Sequence, residues 1–379
     1  MKKGWQTKTL GDVCHVYQPE TISQKQMIAG EFRVYGANGQ IGWHNQFNHE
    51  DPELILGCRG SCGTVHVTEP RSWINGNAMV VHPTNGAMDI SFLAYALKGG
   101  IELTDAITGA AQPQITRTSL MPLAISFPES VAEQQRIVGL LDEAFAGLAT
   151  AKANAEKNLQ NARALFESHL QSVFTQRGKG WVEKRLEEVA DANCSLSYGI
   201  VQPGEEFADG MPVVRPTDLT AKVIHLGGLK RINPKLADGY KRTALHGGEL
   251  LLCVRGSTGV VSIAAPELVG GNVTRGIVPI RFDHSLLLPE FGFYLISSEP
   301  VQSQIRAKTY GAALMQINIR DLRVITLSIP PLKEQATIAA RLDELHAETQ
   351  RLASLYERKL AALEALKKSL LHQAFTGEL

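Results

Sequence analysis

The chain has 379 residues, 38 Lys+Arg against 38 Asp+Glu, 44% hydrophobic and 20% charged residues. That length suits two domains with sizeable cores, and the apolar fraction excludes a wholly disordered chain. A net charge of zero counts against a sequence-blind polyanion binder, and with no apolar run near the roughly 18 residues of a membrane span and no signal peptide at Met1–Trp5 the expectation is a soluble, cytoplasmic protein with no membrane partner.

In chain order, residues 53–56 and 78–81 are short apolar runs punctuated by Gly36-Ala37-Asn38-Gly39 and Gly60-Ser61-Cys62-Gly63, the pattern of strands joined by tight turns. A periodic stretch at 90–98 reads as a helix, and an Ala-rich loop at Ala110-Ala111 carries Gln112 and Gln114. A long unbroken helical stretch follows, and then the pattern starts again. Residues 250–254 and 276–280 are apolar runs around Gly256-Ser257-Thr258-Gly259, residues 288–298 are periodic, and Ala312-Ala313 precedes Gln316 and Asn318. A second long helical stretch runs to Thr376.

The chain is therefore a tandem repeat. Gly4-Trp5 recurs as Gly180-Trp181 at an offset of 176, and Arg59-Gly60-Ser61 as Arg255-Gly256-Ser257 at 196. Gln114-Ile115 recurs as Gln316-Ile317 at 202, and Glu133-Gln134, Leu141-Asp142-Glu143 and Phe174-Thr175 recur at 201. Each repeat has a variable α+β front and a length-locked helical back. A heptad seam in the second back runs Ile338, Leu342, Leu345, Thr349, Leu352, Tyr356, Lys359, Leu363, Leu366, Leu370. Its counterpart is Ile137, Leu141, Ala144, Leu148, Ala151, Ala155, Asn158, Ala162, Leu165, His169, with smaller residues that let two backbones approach. The order globule, helix, globule, helix requires the two helices to run antiparallel. The fold class expected is two α+β globules joined by a long antiparallel two-helix coiled coil, a pseudo-two-fold cyclic repeat.

Catalytic signatures are missing. There is no GxxxxGK[ST] loop, HExxH, GxSxG or [DNS]PP[YFW] string; Ser328-Ile329-Pro330-Pro331-Leu332 has the wrong flanks, and Glu357-Arg358-Lys359 lies on the heptad helix. Cys58, Cys62 and His66 have no usual zinc spacing, and the second repeat places Val254, Thr258 and Ser262 there, so ordinary buried thiols are expected and no metal. Five cysteines, an odd and sparse set, make no disulfide framework.

Two unlike globules, each followed by a long helix introduced by Pro128-Glu129-Ser130-Val131-Ala132-Glu133-Gln134 or Pro330-Pro331-Leu332-Lys333-Glu334-Gln335, resemble the specificity subunits of type I restriction–modification systems. Leu371-His372-Gln373-Ala374-Phe375-Thr376-Gly377-Glu378-Leu379 and Gly36-Ala37-Asn38-Gly39 with Ile41-Gly42 fit the same family; the first Pro-to-Gln segment departs from its usual wording by one residue. The resemblance implies target recognition domains at 1–130 and 178–331 and spacer helices at 131–177 and 332–379. Each globule would read half of a split double-stranded DNA target, and the helices would set the gap. Partners would be two adenine-methyltransferase subunits and restriction/translocation subunits. S-adenosylmethionine and ATP/Mg would sit on those partners, with no cofactor and no catalytic residue in this chain.

Base readers must offer paired hydrogen bonds, above all Arg to guanine and Asn or Gln to adenine. The candidates are Arg59, Ser61, Gln112, Gln114, Arg255, Ser257, Gln316 and Asn318. Bracing of the turns by the arginines, and loop or helix capping by the amides, are the competing roles. Lys230, Arg231, Lys235, Lys241 and Arg242 in the second globule, with Lys2, Lys3 and Lys8 in the first, are candidate phosphate contacts. A coiled-coil scaffold whose globules bind proteins is the alternative from another class; half of a single-chain restriction–modification enzyme is a third, for which catalytic motifs are lacking.

Overall fold

Backbone pairing gathers the short apolar runs of each repeat into small sheets around a buried four-stranded one. The computed structural model describes residues 4–84, 86–109, 112–311 and 314–379; Lys2, Lys3, Ala110, Ala111, Ala312 and Ala313 lie outside them. The chain divides into two units, Met1–Lys157 with Tyr356–Leu379, and Asn158–Leu355.

In the first unit the central antiparallel sheet runs in the order Cys14–Tyr17, Ala78–Pro83, Leu54–Gly57, Val65–Val67. One face packs on Phe92, Leu93 and Leu97, and the other carries Ile55 and Val80 against Tyr35 and Ile74. Burial on both faces is why these strands read as unbroken apolar runs rather than alternating ones. Tyr35 and Ile74 belong to a second sheet, Gly39–His44, Phe32–Gly36 and Trp73–Ile74. The helix Ile90–Tyr95 is capped by Asp89, which accepts from the amides of Ser91 and Phe92, and it ends in a single wide turn at Ala96–Gly100. Glycines there admit a neighbour: a Cβ on Gly99 would stand 2.7 Å from Leu371 Cδ1, and one on Gly100 2.4 Å from Phe375 Cγ. The end of the second long helix is thereby part of this unit's core.

The second unit has the corresponding sheet, Val223–Ile224, Val261–Ala264, Leu250–Cys253, Ile277–Ile280, and a second sheet of Lys230–Ile232, Met211–Val214 and Asn272–Val273. The edges differ. Where the first unit has Cys14–Tyr17 beside Ala78–Pro83, the second keeps only a bridge between Ala190 and Phe282. The opposite edge gains Val223–Ile224, paired parallel to Val261–Ala264. This is where the repeat offset grows from 176 to 196: the added residues sit at a sheet edge and in the 3₁₀ segment Pro234–Thr243, leaving the central strands intact.

Both globules close the same way. Trp5–Thr9 pairs antiparallel with Ala124–Pro128, and Val182–Arg185 with Thr326–Ile329, so the way in and the way out of each globule are zipped together. The long helices Val131–Thr175 and Leu332–Thr376 begin directly after those exits. Within the first unit they run antiparallel: Lys152 Nζ lies 2.8 Å from Glu364 Oε1, Lys367 over the Phe145 ring, and Arg136 Nη2 donates to the Leu379 carbonyl at 3.1 Å. Within the second unit Phe166 meets His346 edge-on at 4.7 Å.

The heptad register is corrected in detail. Ile137, Leu141, Ala155, Ala162 and Leu342 are buried as expected, but Leu165 is 52% exposed and Leu366 48%, and Asn158, His169 and Lys359 are exposed too. Leu159, Phe166 and Leu170 in the first helix and Leu360 and Leu371 in the second take the inner positions. An α-helix repeats at 3.6 residues per turn, so a contact stripe drifts about 20° per heptad from a strict 3.5 repeat. No helix among the described residues is long and apolar enough to cross a membrane.

The Glu-Gln pair at each helix start has a specific job. Gln134 is fully buried: its Oε1 accepts from the Asp89 amide at 2.8 Å, and its Nε2 donates to Pro128 O at 2.9 Å and Ala87 O at 3.0 Å. Gln335, equally buried, accepts from the Leu288 amide at 2.9 Å and donates to Pro330 O at 2.9 Å and Leu286 O at 2.8 Å. Each side chain ties the start of a long helix to the exit strand and to the cap of the domain helix. Two turns further on, Tyr95 donates to Asp142 and Tyr294 to Asp343; burial, with the adjacent carboxylate second, raises both phenol pKa values. Replacing Gln335 by Leu strands one buried N–H and two carbonyls, for an expected loss of about 3 kcal/mol. Urea unfolding of the variant checks this; a loss below about 1 kcal/mol would show that the tie is dispensable.

Candidate nucleic-acid interface

The repeated Arg-Gly-Ser segments form the same turn twice. Gly63 N donates to Gly57 O at 2.9 Å and Gly57 N to Thr64 O at 2.8 Å; Gly259 N donates to Cys253 O at 2.9 Å and Cys253 N to Val260 O at 2.7 Å. The chain reverses through positive φ at Gly60 (76°) and Gly63 (82°), and at Gly256 (85°) and Gly259 (98°), backbone that L side chains adopt only at a cost. Glycine is therefore required by the turn.

This turn brings the two classes of candidate reader together. Arg59 forms a β-bridge with Gln114, and Arg255 with Gln316. Ile115 N and Ile317 N donate to Cys58 O and Val254 O, each at 3.0 Å. In each unit, then, a guanidinium-bearing turn lies against a glutamine-bearing segment, the strand Gln114–Ile115 in the first and an isolated bridge at Gln316 in the second. Arg59 and Gln112 are exposed, as is Ser257; Ser61, Gln114, Gln316 and Arg255 are half-buried. Neither guanidinium has a hydrogen-bond or ion-pair partner among the described residues, and Arg255 Nε is buried without one. Bracing of the turn is done by backbone bonds and the glycines, which leaves both arginine heads available.

The other candidates divide. Asn318 caps the helix Ile319–Arg323: its Oδ1 accepts from the Asp321 amide at 2.8 Å and its Nδ2 donates to Asp321 Oδ2 at 2.6 Å, so its amide is committed to the fold. Lys230 donates to Gly204 O and Arg231 Nη1 to Gly210 O at 3.0 Å; both hold the 204–210 loop. Lys8, Lys235, Lys241 and Arg242 are exposed, the last two at the end of Pro234–Thr243.

Tyr310 was not legible as a site residue. It bridges Gln316, and Gln316 Nε2 donates to its hydroxyl at 3.3 Å. Tyr198 donates to Ile317 O at 3.3 Å. The signal was present in the repeat: Tyr310 stands where the first unit has Thr108, which bridges Gln114 in the same register.

The cysteines are structural. Cys58 donates to Asn77 O at 3.1 Å and Cys62 to Pro113 O at 3.0 Å, so neighbouring thiols serve separate carbonyls. Burial pushes the Cys14 thiol up to about 12 and raises Cys58 and Cys253, against the thiolate a nucleophile or metal ligand requires. Among the described residues no group of three or more His, Cys, Asp or Glu is arranged to hold a metal ion.

Comparison with known proteins matches this layout. The family described as Type I restriction modification DNA specificity domain matches residues 2–159 and 178–357. The type I restriction enzyme EcoBI specificity subunit of Escherichia coli is 24% identical, over 94% of this chain and 79% of that one. The EcoDI specificity subunit of the same organism is 21% identical, over 99% and 88%. Among solved structures, a chain from work on complex assembly and conformational transition of the type I R-M system aligns with a TM-score of 0.76 at 18% identity, over 100% of this chain and 99% of its own. The HsdS subunit from Thermoanaerobacter tengcongensis aligns at 0.63 and 18%, over 100% and 98%. These two structural likenesses carry the fold.

The turns yield a graded expectation. Gly63→Ala places a side chain at positive φ with only Leu103 Cδ1 nearby, at 3.8 Å, and should cost about 1 kcal/mol. Gly259→Ala also puts its Cβ 2.5 Å from Gln302 Oε1 and disturbs the Gln302 bonds to Gly259 O and Ile296 O, for about 2–3 kcal/mol. Thermal unfolding of the two variants checks the order; equal losses would mean that Gln302 gives way freely.

Proposed function

The chain belongs to the type I restriction–modification DNA specificity family, and on that premise we propose that residues 1–130 and 178–331 are two target recognition domains, each reading one half of a bipartite DNA sequence. The observation that carries this reading is the platform found once in each unit: an unpaired arginine on a glycine turn, bridged to a glutamine on the adjacent segment. Arg59 and Arg255 suit guanine O6 and N7, and Gln114 and Gln316 suit adenine N6 and N7. Ser61, Ser257 and Gln112 line the same turns and loop, and Lys241 and Arg242 offer phosphate contacts. A protein-binding scaffold would give the two unpaired guanidiniums no such use.

The chain acts as a non-catalytic subunit. In this proposal two adenine-methyltransferase subunits and restriction/translocation subunits dock on it in the cytoplasm, bringing S-adenosylmethionine and ATP with Mg. The long helices, within 131–177 and 332–379, set the unread gap. Residues 1–127 carry 9 Lys+Arg against 10 Asp+Glu, and residues 178–329 carry 17 against 15. So little excess charge releases few counterions, so the partners must supply much of the grip on the duplex.

Two experiments test the assignment. Exchanging residues 1–130 for the counterpart of another specificity subunit should change one half-site of the methylated sequence and leave the other intact, read by mapping methylated adenines. A change in both halves would contradict independent readers. Inserting four residues after Ala155 lengthens the first helix by about 6 Å, nearly two base pairs of B-DNA at 3.4 Å each. The unchanged partner helix resists the shift, so the gap should grow by about one base pair with both half-sites kept. An unchanged gap at normal activity would show that the helices do not set the spacing.

A further inference from the structure

The two platforms are not equivalent, and one difference lies at a single turn. Each central sheet receives a strand through a four-residue turn closed by a bond between its ends: Ala78 N to Asn75 O in the first unit and Ile277 N to Thr274 O in the second, both at 2.9 Å. Each turn abuts the arginine-bearing hairpin. Cys58 N donates to Asn77 O at 3.2 Å, and Val254 N to Gly276 O at 2.8 Å. The residue after each of these donors is the platform arginine, and the residue before each acceptor is Gly76 in one unit and Arg275 in the other.

Gly76 cannot be anything larger. A Cβ there would stand 2.4 Å from Thr21 Oγ1 and 2.6 Å from Pro19 O, because the chain after Cys14–Tyr17 passes over the turn. In the second unit the chain reaches the turn through backbone bonds instead: Ile200 N donates to Val273 O and Arg275 N to Ile200 O, both at 2.8 Å. Arg275 is exposed and its side chain has no hydrogen bond or ion pair among the described residues. Asp321, whose charge reaches Tyr198 as that of Arg275 does, is committed to Asn318, and Asp218 to Arg215 at 2.8 Å.

We infer that Arg275 is a second DNA-contacting arginine, giving the second globule a pair of guanidiniums, Arg255 and Arg275, where the first has Arg59 alone. Two like charges on adjoining turns, neither with an ion-pair partner among the described residues, favour an anionic or carbonyl oxygen as the common ligand. Duplex DNA offers two such oxygens, the backbone phosphate and guanine O6. The inference rests on the proposed reading of the globules and goes beyond it by making the grip unequal.

The test uses the full chain assembled with its methyltransferase partner and a duplex carrying the mapped target. Arg275→Ala, Arg275→Lys and Arg59→Ala are compared with the parent chain, and thermal unfolding confirms that each folds. Arg275→Ala should weaken binding by about tenfold or more. If the ligand is a phosphate, the slope of log K against log salt falls by about one and Arg275→Lys restores affinity. If it is guanine, discrimination at one position of the second half-site relaxes and Arg275→Lys restores it poorly. In both arms, recognition of the first half-site is unchanged. Affinity, salt slope and discrimination all within twofold of the parent would overturn the inference, while loss of binding in Arg59→Ala would leave the broader reading standing. Failure of the parent complex to prefer its target over unrelated DNA would sink the broader reading itself.

Discussion

Gln134 and Gln335 hold the architecture in place. A buried primary amide must satisfy one acceptor and two donors, and the cost of failing is high enough to select one geometry. Here the three bonds run to two separate pieces of chain: the end of the strand leaving the globule, and the segment that leads into and caps the domain helix. Fixing those pieces fixes the direction in which each long helix leaves its globule. The tyrosine–aspartate bond two turns later pins the helix rotation as well. With exit and rotation set, the edges of each globule can change without moving the helices.

That separation explains what could be read from the sequence. Length-locked features were legible because their physics is local and periodic: the long helices to within two residues at their starts, the central strands Leu54–Gly57 and Leu250–Cys253, and the glycine turns. Seam positions such as Asn158, Leu165 and His169 were misread because a strict heptad accumulates error over 45 residues. Glu133-Gln134 was visible only as a repeated pair of letters; that its glutamine is a three-way tie required the fold. At the site, Arg59 and Arg255 were found by repetition, but their pairing with Gln114 and Gln316 joins residues more than fifty positions apart, which no local pattern reports. Asn318 went the other way. Its position just before Ile319 suits a helix cap as well as a reader, and the cap won because both amide atoms have near partners.

Divergence between the units is concentrated where it changes the presented surface. The first unit covers the turn at Gly76 with the Pro19–Thr21 segment, whereas the second leaves Arg275 in the open and adds Tyr310 beside Gln316. The central strands, the glycine turns and the glutamine ties beneath are shared. A scaffold of this kind separates stability from specificity: buried amides and glycines maintain one, and a few exposed side chains on rigid turns determine the other.

The contact of Leu371 and Phe375 with Gly99 and Gly100 bears on the order of synthesis. Residues 158–355 form a continuous stretch holding one whole unit, so that unit can complete its core as soon as it leaves the ribosome. The first unit is made earlier but needs Leu371 and Ala374, which are translated only after the whole of the second unit. The portion synthesised first therefore finishes folding after the second unit, exposing an apolar seat beside its two glycines until residues beyond 355 have emerged. A nascent chain in this state is open to aggregation and to capture by chaperones, and the hazard ends only when the helical turns carrying Leu371 and Phe375 arrive to fill the seat.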